Sequence, residues 1–353
     1  MPQLKPNPLC SASLVPTLLL GMALYFPLRL LGAEQNAVQV APDGTKTEQS
    51  TATPIPPGSP TEQPDLLDPV DAPRDYLSEK LIGFASDIDR FFGDDRNYQE
   101  TNKSVFQLDV AKVAGYDGDH RFNLSGKANL NLPATEGRLH LLLESDPEQN
   151  VTNEPTPGQS VLSNQVNTPG GYSLAARYVK ELEDTWHFST DAGLKFPIPV
   201  HPFARSRGSY SVPLNNEWRL KAAQSVYWFN NIGVGETTQL DFEHFLSEPV
   251  LFRATSTATW LNNKQNFDLR QDLSIYHTMN ERTALLYQAS AIGVSNPQYE
   301  VTEYVATVLY RYRLHRKWMF LELSPQLHFP KADNFRSNPA FGMRLEMLLD
   351  GSK

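Results

Sequence analysis

The sequence predicts an all-β chain: a closed antiparallel transmembrane β-barrel of about fourteen strands, preceded by a disordered linker and one amphipathic helix. Three observations predict it. Apolar and polar residues alternate with a period of two, as in Phe122, Leu124, Gly126, Ala128 and Leu130 against Asn123, Ser125, Lys127, Asn129 and Asn131. A period of two means strands with two unlike faces. The alternation recurs from residue 101 to residue 349 with no convincing helix between strands. Finally, the N-terminus carries an export signal, which directs the chain out of the cytoplasm.

The elements follow in order. Lys5 precedes the apolar stretch from Leu14 to Leu31, which ends in Leu31-Gly32-Ala33. A basic start, an apolar centre and a small-residue exit make residues 1–33 a secretory signal peptide. The rival reading, a transmembrane anchor, conflicts with Arg29, which leaves no uninterrupted apolar run of about 20 residues. The single cysteine, Cys10, lies inside this segment. The exported part therefore has no disulfide, thiol nucleophile or thiolate metal site.

Residues 34–75 are rich in Pro, Thr, Gln and Asp, as in Thr53-Pro54-Ile55-Pro56-Pro57-Gly58-Ser59-Pro60. So little apolar surface cannot offset the entropy of ordering, and the segment reads as a disordered periplasmic linker. In residues 76–92, Leu77, Leu81, Phe84, Ile88, Phe91 and Phe92 recur at helical spacing. Asp75 suits the N-cap and Gly93 the stop. This helix has three possible places: on the barrel rim, inside the lumen as a plug, or in the membrane surface. Residues 34–100 are also the place for a periplasmic partner.

Strands are expected at 103–114, 119–131, 137–146, 171–182, 185–197, 202–212, 216–230, 236–247, 250–262, 265–277, 282–294, 299–315, 318–329 and 339–349, with a short tail at 350–353. An even number suits a single-chain bacterial barrel, and strands of about ten residues suit a tilted span. The segment at 202–212, with Pro202, Gly208, Arg205 and Arg207, is the weakest, and without it the count falls to twelve. On the side of the chain termini every connection reads as short. The opposite side holds the longest, Pro147 to Gly170, and Lys331 to Asn338.

The polar face carries both signs of charge. Its lumen-lining candidates are Arg138, Lys195, Arg219, Asp241, Glu243, Arg253, Asp268, Arg270, Asp272, Arg311, Arg313, Glu322, Arg344 and Glu346, with Asp109, Glu144 and Glu303 beside them. Two readings exist for the arginines. A ladder of Arg205, Arg207, Arg253, Arg270, Arg311 and Arg313 selects anions, or the arginines pair with the lumenal carboxylates and fill the barrel; the second is favoured. Trp186, Phe196, Trp218, Trp228, Trp260, Tyr310 and Phe341 sit near strand ends on the apolar face, as interfacial girdles do.

The last strand, Phe341-Gly342-Met343-Arg344-Leu345-Glu346-Met347, begins with an aromatic residue and alternates almost to the chain end. It resembles the C-terminal strand of Gram-negative outer-membrane proteins, although the chain ends Leu349-Asp350-Gly351-Ser352-Lys353 without a terminal Phe or Trp. The resemblance implies outer-membrane lipid as the solvent and the insertion machinery as a partner of that strand. Phe91-Phe92-Gly93-Asp94-Asp95-Arg96 and Leu132-Pro133-Ala134-Thr135-Glu136-Gly137-Arg138-Leu139 are similar to segments of uncharacterised proteobacterial envelope proteins, which implies no activity.

Chemistry is sparse. His187, Ser189 and Asp191 share one face of a strand. The His-x-Ser pair resembles outer-membrane acyl hydrolases of the phospholipase A and lipid A deacylase families, which implies His187 as base and Ser189 as nucleophile. Thr190-Asp191 stand where the phospholipase pattern has Asn-Gly. Tyr116-Asp117-Gly118-Asp119-His120 reads as a hairpin turn rather than a cation site. No nucleophile elbow, metal helix, phosphate loop or other cofactor motif occurs. The net charge of −9 argues against nucleic acid. The function expected is a passive channel or envelope scaffold, the alternatives being the acyl hydrolase and a soluble periplasmic β domain.

Overall fold

In a computed structural model of the chain, the described residues are Asp87, Ile88, Phe91, Phe92 and residues 104–350, apart from 116–119, 133–137, 146, 148–170, 183–184, 197–198, 216 and 315–317. The expected signal peptide, linker, Tyr116-to-Asp119 turn, residues 351–353 of the tail and most of the 76–92 helix lie outside these residues, while Asp350 belongs to the last strand.

Among them are fourteen strands: β1 (Val105–Gly115), β2 (His120–Asn131), β3 (Leu139–Ser145), β4 (Tyr172–Leu182), β5 (Trp186–Phe196), β6 (His201–Pro213), β7 (Trp218–Phe229), β8 (Gly233–Ser247), β9 (Val250–Leu261), β10 (Asn266–Asn280), β11 (Thr283–Val294), β12 (Glu300–Arg313), β13 (Met319–Pro330) and β14 (Asn338–Asp350). Each pairs with its neighbours in sequence, and β1 pairs antiparallel with β14, from Val105↔Asp350 to Gly115↔Ala340. The sheet is a closed barrel with no free edge.

The doubtful strand is real and long. β6 tolerates Pro202 at its second residue, where an extended strand begins. The twelve-strand alternative therefore falls. The expected asymmetry of the connections holds only through 146–171, the longest. The other connections at that end are about as short as those beside the termini.

Side chains sort by parity. Phe122, Leu124, Tyr172, Leu174, Phe188, Leu194, Val226, Leu273 and Leu327 are exposed, while the residues between them on the same strands turn inward. The buried set includes Arg177, Asp191, Arg205, Glu243, Arg253, Arg311, Glu322 and Glu346. This inverts the polarity of a water-soluble protein, in which charges leave the interior. It gives no support to the alternative of a soluble β domain.

The aromatic residues lie where the girdle argument puts them. Trp186, Phe196, Trp228 and Phe341 point outward from strand ends. Trp218 stacks on His244 at 4.0 Å between ring centres, and Trp186 leans on Tyr210 at 4.6 Å. Close strand contact towards the end of β4 and β5 opposite the chain termini requires Gly193: a Cβ there would lie 2.5 Å from the Leu174 carbonyl oxygen and from the Ala175 Cβ.

Candidate functional site: the barrel interior

The interior is organised by register. In an antiparallel sheet, residues directly opposite on neighbouring strands are the pairs that interact. Three times around the barrel, an acid on a middle strand stands opposite an arginine on each side. Asp191 on β5 faces Arg177 on β4 and Arg205 on β6. Glu243 on β8 faces Arg219 on β7 and Arg253 on β9. Glu322 on β13 faces Arg311 on β12 and Arg344 on β14.

Each trio is closed by charge-assisted hydrogen bonds, the strong kind. Arg177 donates to both oxygens of Asp191 at 2.7 and 2.9 Å, and Arg205 Nε donates to Asp191 at 2.5 Å. Arg205 also reaches both oxygens of Glu144 on β3, at 2.8 and 2.9 Å. In the second trio, Arg219 and Arg253 each donate to Glu243 at 2.7 Å, and Arg253 continues to the Tyr276 hydroxyl at 3.2 Å. In the third, Arg311 and Arg344 both donate to Glu322, and Glu346 takes Arg311 at 2.6 Å and Arg344 at 3.2 Å.

Other predicted residues fall nearby. Arg270 pairs with Asp272 at 2.8 Å, and Asp241 accepts from Thr255 at 2.7 Å and from Gln239. Lys195 is buried and Arg313 half-buried. Arg138 lies exposed and Asp268 half-buried near strand ends, where Asp268 pairs with Lys264 at 3.0 Å. Glu303 meets the ring of His328 at 2.7 Å. Arg177, Arg205, Arg219, Arg253, Arg270, Arg311 and Arg344 are thus engaged with carboxylates, while Arg207 donates to the Ser225 hydroxyl at 3.2 Å. Arg177 and Lys221 went unremarked in the sequence; the alternation along 171–182 and 216–230 already marks them as inward.

The acyl-hydrolase alternative finds no support. Both Asp191 oxygens are held by arginines, so Asp191 is not available to orient an imidazole. Ser189 is buried in the interior, beside Arg177, Arg205 and Arg207 and away from the apolar outer surface. Among the described residues no cluster of His, Cys, Asp or Glu has the arrangement of a metal site.

Two features enter the interior from outside the wall. Pro147, the first described residue of the long β3–β4 connection, is buried, and its carbonyl accepts from Arg205 at 3.4 Å. That connection, read from sequence as an outer loop, thus begins inside the barrel. The second feature is the set Asp87, Ile88, Phe91 and Phe92. Ile88 and Phe92 are buried among Leu251, Tyr276, Ala284, Leu286 and Leu309, inward-facing residues of β9 to β12.

A closed barrel with an apolar outer wall and a charged interior is the organisation of a transmembrane β-barrel. No known family model and no curated protein matches the sequence. Solved structures do resemble it. The KdgM porin is 6% identical, with 68% of this chain and 98% of that one covered and a TM-score of 0.35. An OmpT loop-deletion mutant of Vibrio cholerae is 12% identical, covering 70% and 98%, TM-score 0.42. Pseudomonas putida OprB at high pH is 13% identical, covering 73% and 97%, TM-score 0.44. The likeness is one of architecture.

Proposed function

We propose that this chain is a Gram-negative outer-membrane β-barrel whose charged interior forms the wall of a passive diffusion channel. The observation that carries the reading is the inverted polarity of the wall. Apolar side chains pointing outward on every side need lipid, because water would leave them unburied. Backbone groups satisfied around a closed ring are what lipid demands. Strand number favours a channel over a filled barrel: about eight strands leave room only for side chains, and sixteen to eighteen leave an aqueous path. Fourteen strands stand nearer the second case. The inward residues named above, from Lys195 to Glu346, would line that path. The alternating β14 is the strand we expect the insertion machinery to read.

The test has two stages. Membrane fractionation should place the chain with the outer membrane, and the folded form should migrate differently on gels before and after boiling. Recovery in the soluble periplasm with no heat-dependent shift would reject the barrel's location. Purified protein should then give discrete current steps in planar bilayers. A folded barrel that stays silent under all conditions would instead be a scaffold.

A further inference from the structure

We propose that the seam between β12 and β13 is a lateral opening in the wall, through which an unbranched apolar chain, such as the tail of a fatty acid, passes between the bilayer and the barrel interior. This rests on the membrane reading above and adds a second route, across the wall, to the axial path. Two observations on one stretch of wall carry it.

The first is a break in the ladder. β12 and β13 pair from Glu303↔Pro330 to Thr307↔Gln326 and again from Tyr310↔Leu323 to Arg313↔Phe320. The two rungs between, where Val308 and Leu309 face Pro325 and Ser324, are not formed. The register is the same on both sides of the break, so no extra residue is inserted as in a bulge. Pro325, seventh of the twelve residues of β13, sits in the break. Proline has no N–H to give to a ladder, and its usual places are strand starts, edges and bulges. On its other flank β13 stays paired with β14 through Ser324↔Gly342 and Pro325↔Phe341. Among the described residues this is the one seam whose ladder stops and resumes in one register. The irregularities of β8–β9, β10–β11 and β11–β12 are register shifts near strand ends, and the β2–β3 ladder is short but continuous.

The second observation is what lies on either side of the break. Val308 and Pro325 point outward and are exposed, as are Leu327, Phe341 and Met343 around them. Leu309 points inward and belongs to the apolar patch of Leu251, Tyr276, Ala284 and Leu286. That patch takes apolar groups, since Ile88 and Phe92 lie on it. The rows beside the break are polar. Thr307 faces Gln326 on one side, and the ion pair of Arg311 with Glu322 closes the seam on the other. Apolar surface thus meets apolar surface across the wall at the two rungs where the strands are bonded least. Two rungs are about 7 Å of strand, which suits one extended hydrocarbon chain. Lipid asks that backbone groups be paired within the protein, and this break is the departure from that rule.

The test uses full-length protein in liposomes containing a fatty acid with a photoactivated diazirine at the end of its tail. Illumination should attach the probe to Leu309 and Ser324 as well as to the outer wall, mapped by mass spectrometry. Two variants close the seam. Pro325→Val returns an N–H to the strand, and Ala306→Cys/Leu327→Cys in a Cys10→Ser background forms a disulfide between residues directly opposite beside the break. Each, after showing the heat-dependent gel shift, should lower interior labelling about tenfold, because entry depends on a local opening. Reduction of the disulfide should restore labelling in the same sample, and labelling of the outer wall should not change. Should Pro325→Val not fold, the disulfide decides alone. Label confined to the outer wall of the parent, or interior label that a folded variant leaves at the parent's level, would overturn the lateral opening. Bilayer current reads the axial path separately. A conducting barrel without interior label removes the seam alone, and a silent barrel with interior label removes the channel and keeps the seam.

Discussion

The β4–β6 wall and the β10–β12 wall are built from the same kind of strand and solve the interior in opposite ways. On β4–β6, the Arg177–Asp191–Arg205 trio satisfies its own charges with its own side chains, and Glu144 adds the last acceptor. On β10–β12 the inward Tyr276, Ala284, Leu286 and Leu309 form an apolar patch that Ile88 and Phe92 cover, while Arg270, Asp272 and Arg311 keep paired charge further along the same strands. Buried charges are expensive to expose singly and hold their partners in one arrangement. Apolar contact is non-directional and is regained as readily as it is lost. The rigid part of the interior is therefore the charged trio, and the adaptable part is the apolar patch under Ile88 and Phe92.

The largest expected effect breaks the charged wall. Asp191→Ala leaves Arg177 and Arg205 buried without their shared acceptor, a loss of about 3–5 kcal/mol, read as a lower urea midpoint of the folded barrel in detergent. A midpoint like the parent's would mean that the trio contributes nothing to rigidity. Next, Gly193→Val forces a branched side chain against the Leu174 carbonyl oxygen and should cost about 1–3 kcal/mol as overpacking. Gel-shift temperature reports it. The exposed Lys264–Asp268 pair should contribute about 0–1 kcal/mol, so Lys264→Ala should leave that temperature nearly unchanged. Phe92→Ala sharpens the comparison most although it should move barrel stability least. Protease cleavage near residues 87–92 should accelerate while the barrel's urea midpoint stays put. A midpoint that falls in step with cleavage would make the helix part of the wall.

Much of the fold was legible because parity is local. The alternation of Phe122 to Asn131 needs only neighbours in sequence, and hydrophobic spacing marked Ile88 and Phe92 as one face of a helix. The charged trios were legible in kind only. Arg177 finds Asp191 across one hairpin, but Arg311 reaches Glu346 35 positions along the chain. Such pairs depend on the register of strands whose ends sequence leaves open by a residue or two, and a one-residue slip reverses every face. The 202–212 strand reads as weak because of Pro202, Gly208, Arg205 and Arg207, yet the two arginines are residues that its inward face carries. Where the helix docks was not legible either, because its seat is assembled from strands separated by hairpins.

The pairing of β1 with β14 has a consequence for how the molecule is made. Residues 105–115 are bonded to residues 340–350, so nearly the whole barrel must be synthesised before its first strand finds its second neighbour. Until then β1 presents a bare edge, which is a template for wrong pairing. Safe assembly thus depends on shielding that edge until the last strand arrives.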